Sequence, residues 1–279
     1  IIVPVDFSGD SLKAFQKAVH IAKKLSAEIH LIHIKKTRSF ASIFSASKDD
    51  REVDIDQSFE EMLSGEKDSG VTIKTVTKKG SSVAKEIVRY AEAEDAYLIV
   101  MGTHGVSGFE EFWMGSNAYR VVSSAECPVL SMRGSENIKD ISRIVLPIDL
   151  TSTTRQKVPF TLDLAKHFNA EIHVIATCID ETDEFVMKLT SYSAQVARFL
   201  TEKGINVTTD FITGDNVTTM TIEYAKKVDA DLIAIMTEQE TSMLNAFLGA
   251  YAQQMVNHSP IPVLSMHKNT NLEGNISIM

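Results

Sequence analysis

Short runs of apolar residues alternate along the chain with segments whose apolar residues recur every three or four positions. The first pattern is typical of strands buried on both faces, and the second of amphipathic helices that pack on a sheet. Strands that alternate with helices form a parallel, doubly wound sheet through right-handed crossovers. In the first half of the chain the runs predict five strands: Ile1–Val5, Glu28–Ile34, Val71–Thr77, Tyr97–Met101 and Val129–Arg133.

Helical spacing is clearest after the first and third of these runs. One helix, which Ser8 or Asp10 could cap, has an apolar face formed by Leu12, Phe15, Val19, Ala22 and Leu25. A later helix repeats the spacing with Val83, Ile87 and Ala91. The charged stretch Lys36–Asp56 has no steady period, which predicts a loop or a loosely attached helix.

The whole pattern occurs twice. IIVPVDFS at the start aligns with RIVLPIDLT near the middle, and CPVLSM in the first half aligns with IPVLSM in the second. The alignment pairs His30 with His173, and we expect both to be core histidines with hydrogen-bond partners. The fold class is therefore α/β, with two tandem doubly wound five-stranded parallel-sheet domains at residues 1–134 and 143–268, a linker at 135–142 and a C-terminal tail at 269–279.

The composition of the chain limits the classes of partner that it could bind. Apolar residues make up 44% of the 279 residues, and no run approaches the ~20 apolar residues of a membrane span. The start of the chain does not resemble a secretory signal, so we expect a cytoplasmic protein. A net charge of −9 argues against nucleic acid and anionic membranes as partners. Cys127 and Cys178 lack a disulfide spacing, and we expect buried thiols.

The stretch GTHGVSGFEEFWMGS, residues 102–116, is the candidate for chemistry because it joins the fourth strand to the fourth helix. Unpaired N–H groups at a helix start favour an anion, and Gly115 would let a phosphate approach the backbone. Ser116 and Asn117 can add side-chain donors. His104 can donate to a phosphate oxygen, and Asp6, across the same crevice, can accept from a ribose or a base edge.

The same residues also suit a plain loop. Glycine after a strand and serine at a helix start are common for turning and capping alone. His104 has no carboxylate partner at a useful spacing, and a solvent-facing role suits it better than a catalytic one. From the residues alone, ligand binding and a simple connection both remain open.

The sequence resembles the tandem type of the universal stress protein family. That family's nucleotide-binding signature is glycine, two residues, glycine, nine residues, glycine, then serine or threonine. Gly102, Gly105, Gly115 and Ser116 reproduce it without a gap, and VPVDFS at the first strand is similar to the family's opening. The resemblance covers both copies and implies a Rossmann-like fold of the adenine-nucleotide alpha-hydrolase type.

By that resemblance the chain would bind ATP, ADP or AMP, with or without Mg²⁺. The base and ribose would lie against Pro4, Val5, Asp6 and Ile34. The sugar and phosphates would contact Met101, Gly102, His104 and Gly105. The phosphate chain would be held by Gly115, Ser116, Asn117 and Ala118. The fifth strands, Val129–Met132 and Val263–Met266, would pair and form an internal pseudo-dimer, and association of two whole chains stays open.

The second copy departs from the signature. Met236 and Gln239 stand where the first copy has glycines, Glu238 replaces His104, and Ala250 replaces Ser116, while Gly249 is kept. A methionine side chain and a glutamate charge would occupy space and repel phosphate. We therefore expect one nucleotide per chain, in the first copy, with the second copy serving as a structural or regulatory partner.

Two other classes of function remain beside nucleotide-dependent stress response through conformation or partners. The first is a weak ATP hydrolase, although the chain lacks a P-loop, a GxSxG elbow and an HExxH pair, and we assign no catalytic residue and no protein-held metal. The second is an interaction or dimerisation module whose pocket is vestigial.

Overall fold

Ten strands form one sheet in the computed structural model, which describes residues 1–37, 54–103, 114–133, 140–151, 153–179, 182–237 and 249–268. The strands are β1 Ile2–Pro4, β2 Ile29–Lys36, β3 Ile73–Gly80, β4 Ile99–Gly102, β5 Val129–Met132, β6 Arg143–Ile148, β7 Glu171–Cys178, β8 Val207–Thr213, β9 Leu232–Met236 and β10 Val263–Met266. Their spatial order is β3-β2-β1-β4-β5-β10-β9-β6-β7-β8.

All strand pairs within each half are parallel, so the predicted α/β fold with five parallel strands per half is confirmed. In each half the chain moves outward from its first strand and returns to place its fourth strand on the other side. The strand order therefore reverses between β1 and β4, and again between β6 and β9. Ligands of doubly wound sheets bind outside the carboxyl ends of the strands at such a reversal.

Eight α-helices cover the two faces of the sheet within the described residues. They are α1 Gly9–Leu25, α2 Ile55–Leu63, α3 Val83–Ala93, α4 Ser116–Ser124, α5 Val158–Phe168, α6 Asp183–Glu202, α7 Val217–Lys227 and α8 Ala250–His258. The helices α1, α2, α5 and α6 bury side chains in one apolar cluster, and the other four helices do so in a second cluster. Each cluster contains residues of both halves, so the core is continuous across the molecule. No helix in the described part of the chain is long and apolar enough to cross a bilayer.

The predicted first helix is confirmed with one exception on its apolar face. Ser8 is its N-cap and accepts a hydrogen bond from the Ser11 N–H at 3.3 Å, while Asp10 lies in the first turn. Phe15 is buried as expected, but Leu12 is exposed. The 3.6-residue period places Leu12 on the same face, but it lies in the first turn of the helix, where its side chain stays 36% exposed.

Most of the stretch predicted as a loop or loose helix, residues 38–53, lies outside the described part of the chain. The pattern did not predict α2, which follows directly. Asp54 caps this helix by accepting from the Asp56 and Gln57 N–H groups, and Phe59 and Met62 pack into the core.

The two core histidines are confirmed. His30 Nδ1 lies 2.8 Å from the Tyr90 hydroxyl, and His173 Nδ1 lies 3.0 Å from the Tyr224 hydroxyl. These hydrogen bonds join β2 to α3 in the first half and β7 to α7 in the second. Neither cysteine forms a disulfide, and Cys178 is buried while Cys127 is half-buried.

The halves join through β5 and β10, which pair in antiparallel orientation with Leu130 opposite Leu264. The predicted pairing of the fifth strands is therefore confirmed. Leu130 and Leu264 are 2% and 1% exposed, and the Ser131 hydroxyl donates to the Val263 carbonyl at 3.2 Å. The junction thus has the burial of a sheet interior rather than that of a hinge.

Leu130→Ala should lower the free energy of unfolding by ~2–5 kcal/mol, because it leaves a cavity at the buried junction. The free energy would be measured by urea denaturation of the whole chain. Met187→Ala is the control: Met187 is 72% exposed, and we expect a change within ~0.5 kcal/mol. Equal losses in the two variants would contradict the importance of the junction.

Candidate functional site

A cavity of about 210 Å³ lies at the carboxyl ends of β1 and β4, where the strand order of the first half reverses. The structure brings ten of the twelve sequence-predicted site residues around it: Pro4, Val5, Asp6, Ile34, Met101, Gly102, Gly115, Ser116, Asn117 and Ala118. His104 and Gly105 lie outside the described residues. That these residues bind a nucleotide stays a prediction.

Five further lining residues were not predicted: Ser11, Ile32, Val83, Ile87 and Thr103. Ile32 lies two positions before Ile34 on the same face of β2, so the alternation of a strand could have identified it. Val83 and Ile87 were assigned to the packing face of α3. They also line the cavity, so the same two side chains pack on the sheet and form part of the cavity wall.

The turn between β1 and α1 presents Asp6 at the mouth of the cavity. Phe7 has a positive φ of 63° and stacks on the ring of His33 at 4.8 Å, while His33 Nδ1 lies 2.9 Å from the Val5 carbonyl oxygen. A left-handed phenylalanine is unfavourable, so these contacts are needed to hold the turn. Asp6 is exposed, and its Oδ1 accepts hydrogen bonds from the Ser8 N–H and hydroxyl.

The start of α4 supplies backbone donors at the other side of the cavity. Its N-cap, Gly115, has no side chain to cap the helix, and the first intrahelical N–H is that of Tyr119, bonded to the Gly115 carbonyl at 3.0 Å. The N–H groups of Ser116, Asn117 and Ala118 therefore have no partner among the described residues. Three unpaired donors and the positive end of the helix dipole favour an anion.

Close packing of the backbone favours glycine at both Gly102 and Gly115, which the sequence did not reveal. The Gly115 N–H donates to the Thr103 carbonyl at 2.8 Å, and a Cβ at Gly115 would lie 3.3 Å from that same oxygen. A Cβ at Gly102 would lie 3.0 Å from Asp10 Cβ. Gly102 thus lets the start of α1 pack directly against the end of β4, whatever ligand is present.

No lysine or arginine lines this cavity in the described part of the chain. Arg120 on α4 lines a separate groove between α3 and α4 together with Lys85 and Arg89. The described residues also contain no group of three His, Cys, Asp or Glu side chains that could hold a metal ion. Backbone N–H groups are therefore the principal anion donors of the site.

The second half repeats the backbone of this site. The Gly249 N–H donates to the Thr237 carbonyl at 2.9 Å, as Gly115 does to Thr103, and α8 also begins without a side-chain cap. A cavity of about 250 Å³ lies at the equivalent place. Met236 lines this cavity, and that its side chain obstructs a phosphate there stays a prediction. Glu238 and Gln239 lie outside the described residues.

The helix start differs between the two halves. Met236 is the counterpart of Gly102 and is buried in the apolar cluster that also contains residues of α5. In the second half a 3-10 helix, Thr154–Lys157, comes before α5, which begins only at Val158. The last residue of the 3-10 helix, Lys157, thereby comes to line the cavity.

Lys157 is only 3% exposed, and its Nζ donates to the Thr154 hydroxyl at 2.9 Å. Burial lowers the pKa of its ammonium to about 8, against a smaller opposing effect of the Asp149 charge. The Asp149 carboxylate accepts from the N–H and hydroxyl of Thr151, as Asp6 does from Ser8. The two cavities therefore share their backbone and differ in their side chains.

Comparison with known proteins finds the same duplication. The model of the universal stress protein family matches residues 1–133 and again residues 141–267. A universal stress protein of Methanocaldococcus jannaschii is 33% identical over 138 residues, which cover 48% of this chain and 81% of that protein. The universal stress protein YxiE of Bacillus subtilis is 30% identical over 145 residues, covering 48% of this chain and 97% of that protein. Each relative thus corresponds to about half of this chain.

Solved structures match over nearly the whole length. A universal stress protein from Archaeoglobus fulgidus superposes with a TM-score of 0.72 at 18% identity, covering 96% of this chain and 98% of that one. A protein from Pseudomonas aeruginosa described as a putative universal stress protein has a TM-score of 0.67 at 18% identity, covering 96% and 91%. At this identity the likeness shows the fold alone.

The buried Lys157 predicts a pH dependence of stability. Between pH 8 and pH 10.5 the unfolded chain keeps a proton on this amine that the folded chain has lost, so stability should rise with pH in this range. The measurement is the difference in unfolding free energy between the wild type and Lys157→Met, from urea denaturation at several pH values. Groups that titrate alike in both proteins cancel in this difference. A difference that does not change with pH would contradict the prediction.

Proposed function

Because the chain belongs to the universal stress protein family and carries two of its domains in tandem, we propose that it binds one adenine nucleotide through its first half. The domains extend over residues 1–134 and 143–268, joined by the linker 135–142. The protein then acts in stress response through ligand-dependent conformation or partner binding rather than through turnover.

The shape of the first cavity supports this assignment of the base and sugar. Ile34, Val83 and Met101 form apolar walls against which a flat base can lie. Asp6 stands at the mouth, where its carboxylate can accept hydrogen bonds from the two ribose hydroxyls.

One observation carries the phosphate part of the proposal: the three N–H groups at the start of α4 have no partner among the described residues and border the cavity. They suit a phosphate oxygen, which accepts several hydrogen bonds at a helix start. Since no described cation lines the cavity, each added phosphate gains little, and we expect ADP and AMP to bind about as well as ATP. A Mg²⁺ ion, if one accompanies the nucleotide, would be held chiefly by the phosphates.

A hydrogen bond joins the rim of this cavity to the other half of the molecule. The N–H of Met114, which precedes Gly115, donates to Asn257 Oδ1 on α8 at 3.0 Å, and Arg133 donates to the Asn257 carbonyl at 2.8 Å. Asn257 is buried, so these bonds are shielded from water. Ordering the start of α4 around a nucleotide would therefore also affect α8.

Nucleotide binding is tested by calorimetry with ATP on the whole chain. Asn117→Tyr places on α4 the residue that occupies the equivalent position of α8, Tyr251, and its ring would cover the N–H groups of the helix start. We expect one site per chain in the wild type and an affinity at least tenfold lower in this variant. Asn117 is exposed, so the fold should persist.

Tyr251→Asn is the matched control in the second half and should leave the stoichiometry and affinity for ATP unchanged. Two sites per chain, or a loss caused by the control alone, would contradict the assignment to the first half. If the wild type binds no adenine nucleotide at all, the alternative of an interaction module with a vestigial pocket is favoured.

The link between the halves predicts that ATP protects amides of α8 from hydrogen exchange. Asn257→Ala removes the acceptor of the Met114 N–H, so it should abolish most of this protection while ATP binding itself falls by less than about tenfold. Hydrogen exchange measured by mass spectrometry, with and without ATP, gives both results. Unchanged protection of α8 in the variant would show that Asn257 does not transmit the effect.

A further inference from the structure

The cavity of the second half is lined by a buried lysine, Lys157. Lysine is almost never fully buried unless it is paired, yet Lys157 has no carboxylate oxygen within 4.0 Å among the described residues. An ammonium group has three donors, and the Thr154 hydroxyl uses one of them. The residue at the equivalent position of the first half is Ala14, so the alternative at this position is a small apolar side chain.

A second polar group in the same cavity also lacks a partner. The hydroxyl of Tyr251, at the second position of α8, is buried and makes no hydrogen bond to the described residues. Its polar neighbour is Thr221, whose own hydroxyl donates to the Val217 carbonyl at 2.8 Å. A buried hydroxyl without a partner is costly, so an acceptor brought to the Tyr251 hydroxyl would be favourable. Lys157 and Tyr251 both line the cavity.

The remaining walls are mostly apolar. Ile148, Phe185, Ile235 and Met236 line the cavity beside the two polar groups. The cavity has a volume of about 250 Å³. The combination is that of a site for a molecule with an apolar body and a single anionic head.

We propose that this cavity binds a small monocarboxylate with an apolar chain, whose carboxylate accepts hydrogen bonds from the Lys157 ammonium and the Tyr251 hydroxyl. The chain of the ligand lies against Phe185 and Met236. This site differs in ligand class from the one proposed for the first half, and the inference does not depend on nucleotide binding there.

Charge favours a carboxylate over a phosphate. A dianion would bring more negative charge beside Asp149 into this mostly apolar cavity than a monoanion does, while the cavity offers a single ammonium to balance it. Asp149 also lines the cavity and would repel the additional charge of a phosphate. A monocarboxylate can keep its distance from Asp149, because the Asp149 carboxylate is turned toward the N–H and hydroxyl of Thr151.

Three probes with the same six-carbon chain test the head group: hexanoate, 1-hexanol and hexylamine, titrated into the whole chain by calorimetry at pH 7. We expect saturable binding of hexanoate, binding of 1-hexanol at least tenfold weaker, and no binding of hexylamine. Hexylamine or 1-hexanol binding as tightly as hexanoate would overturn the proposal, and so would the failure of hexanoate to saturate.

Two variants test the residues. Lys157→Met should lower the affinity for hexanoate at least tenfold, and Tyr251→Phe should lower it about threefold to tenfold. Lys166→Met is the matched control, because it makes the same charge change on α5 at an exposed position, and its affinity should stay within twofold of the wild type. If Lys157→Met keeps the wild-type affinity, the proposal is wrong. If Lys157→Met does not fold, the test rests on Tyr251→Phe, and an unchanged affinity of that variant for hexanoate would overturn the proposal.

An ATP titration of the same variants separates this inference from the proposed function. Lys157→Met should leave the binding of ATP unchanged, since Lys157 lies in the second half. Loss of hexanoate binding with ATP binding intact supports two sites of different ligand class. Competition of ATP with hexanoate for the same site would overturn the inference while leaving the family assignment untouched.

Discussion

The antiparallel pairing of β5 with β10 is the constraint on which the rest of this molecule depends. It removes one exposed edge from each five-stranded sheet, and it merges the two apolar clusters of each half into clusters that span the whole chain. Because the strands within each half are parallel, this junction also points the carboxyl ends of the two halves in opposite directions. The two cavities consequently lie at opposite ends of the sheet and can bind different ligands without steric conflict.

The two sites show how one backbone supports two chemistries. In both halves a glycine N–H bonds to a threonine carbonyl and precedes a helix without a side-chain cap. Gly102 allows α1 to start close to the sheet, whereas Met236 goes together with a later start of α5 and a 3-10 helix in its place. That local shift brings a lysine to the cavity. The second half therefore has a cavity at the equivalent place that is lined by different side chains.

Polar groups buried between the halves give the pseudo-dimer a means of communication. Asn257 accepts hydrogen bonds from both the rim of the first cavity and the end of β5, while it belongs to the helix whose start borders the second cavity. Bonds of this kind are strong in a buried setting and costly to leave unmade. A change at either cavity therefore has a short physical path to the other, through α8.

The sequence alone determined the duplication, the α/β class and the order of the elements, because apolar periodicity reports which faces of each element are buried. At the first cavity, the position after a strand or at a helix start made Asp6, Gly102, Gly115, Ser116 and Asn117 predictable. The resemblance to the family added Pro4, Val5, Ile34, Met101 and Ala118. Wall residues such as Val83 were not predictable, because packing on the sheet and lining a cavity leave the same apolar signal. The open second cavity and the buried Lys157 were decided only by the tertiary structure. A shifted helix start depends on a contact between segments far apart in the chain, and no local pattern records that contact.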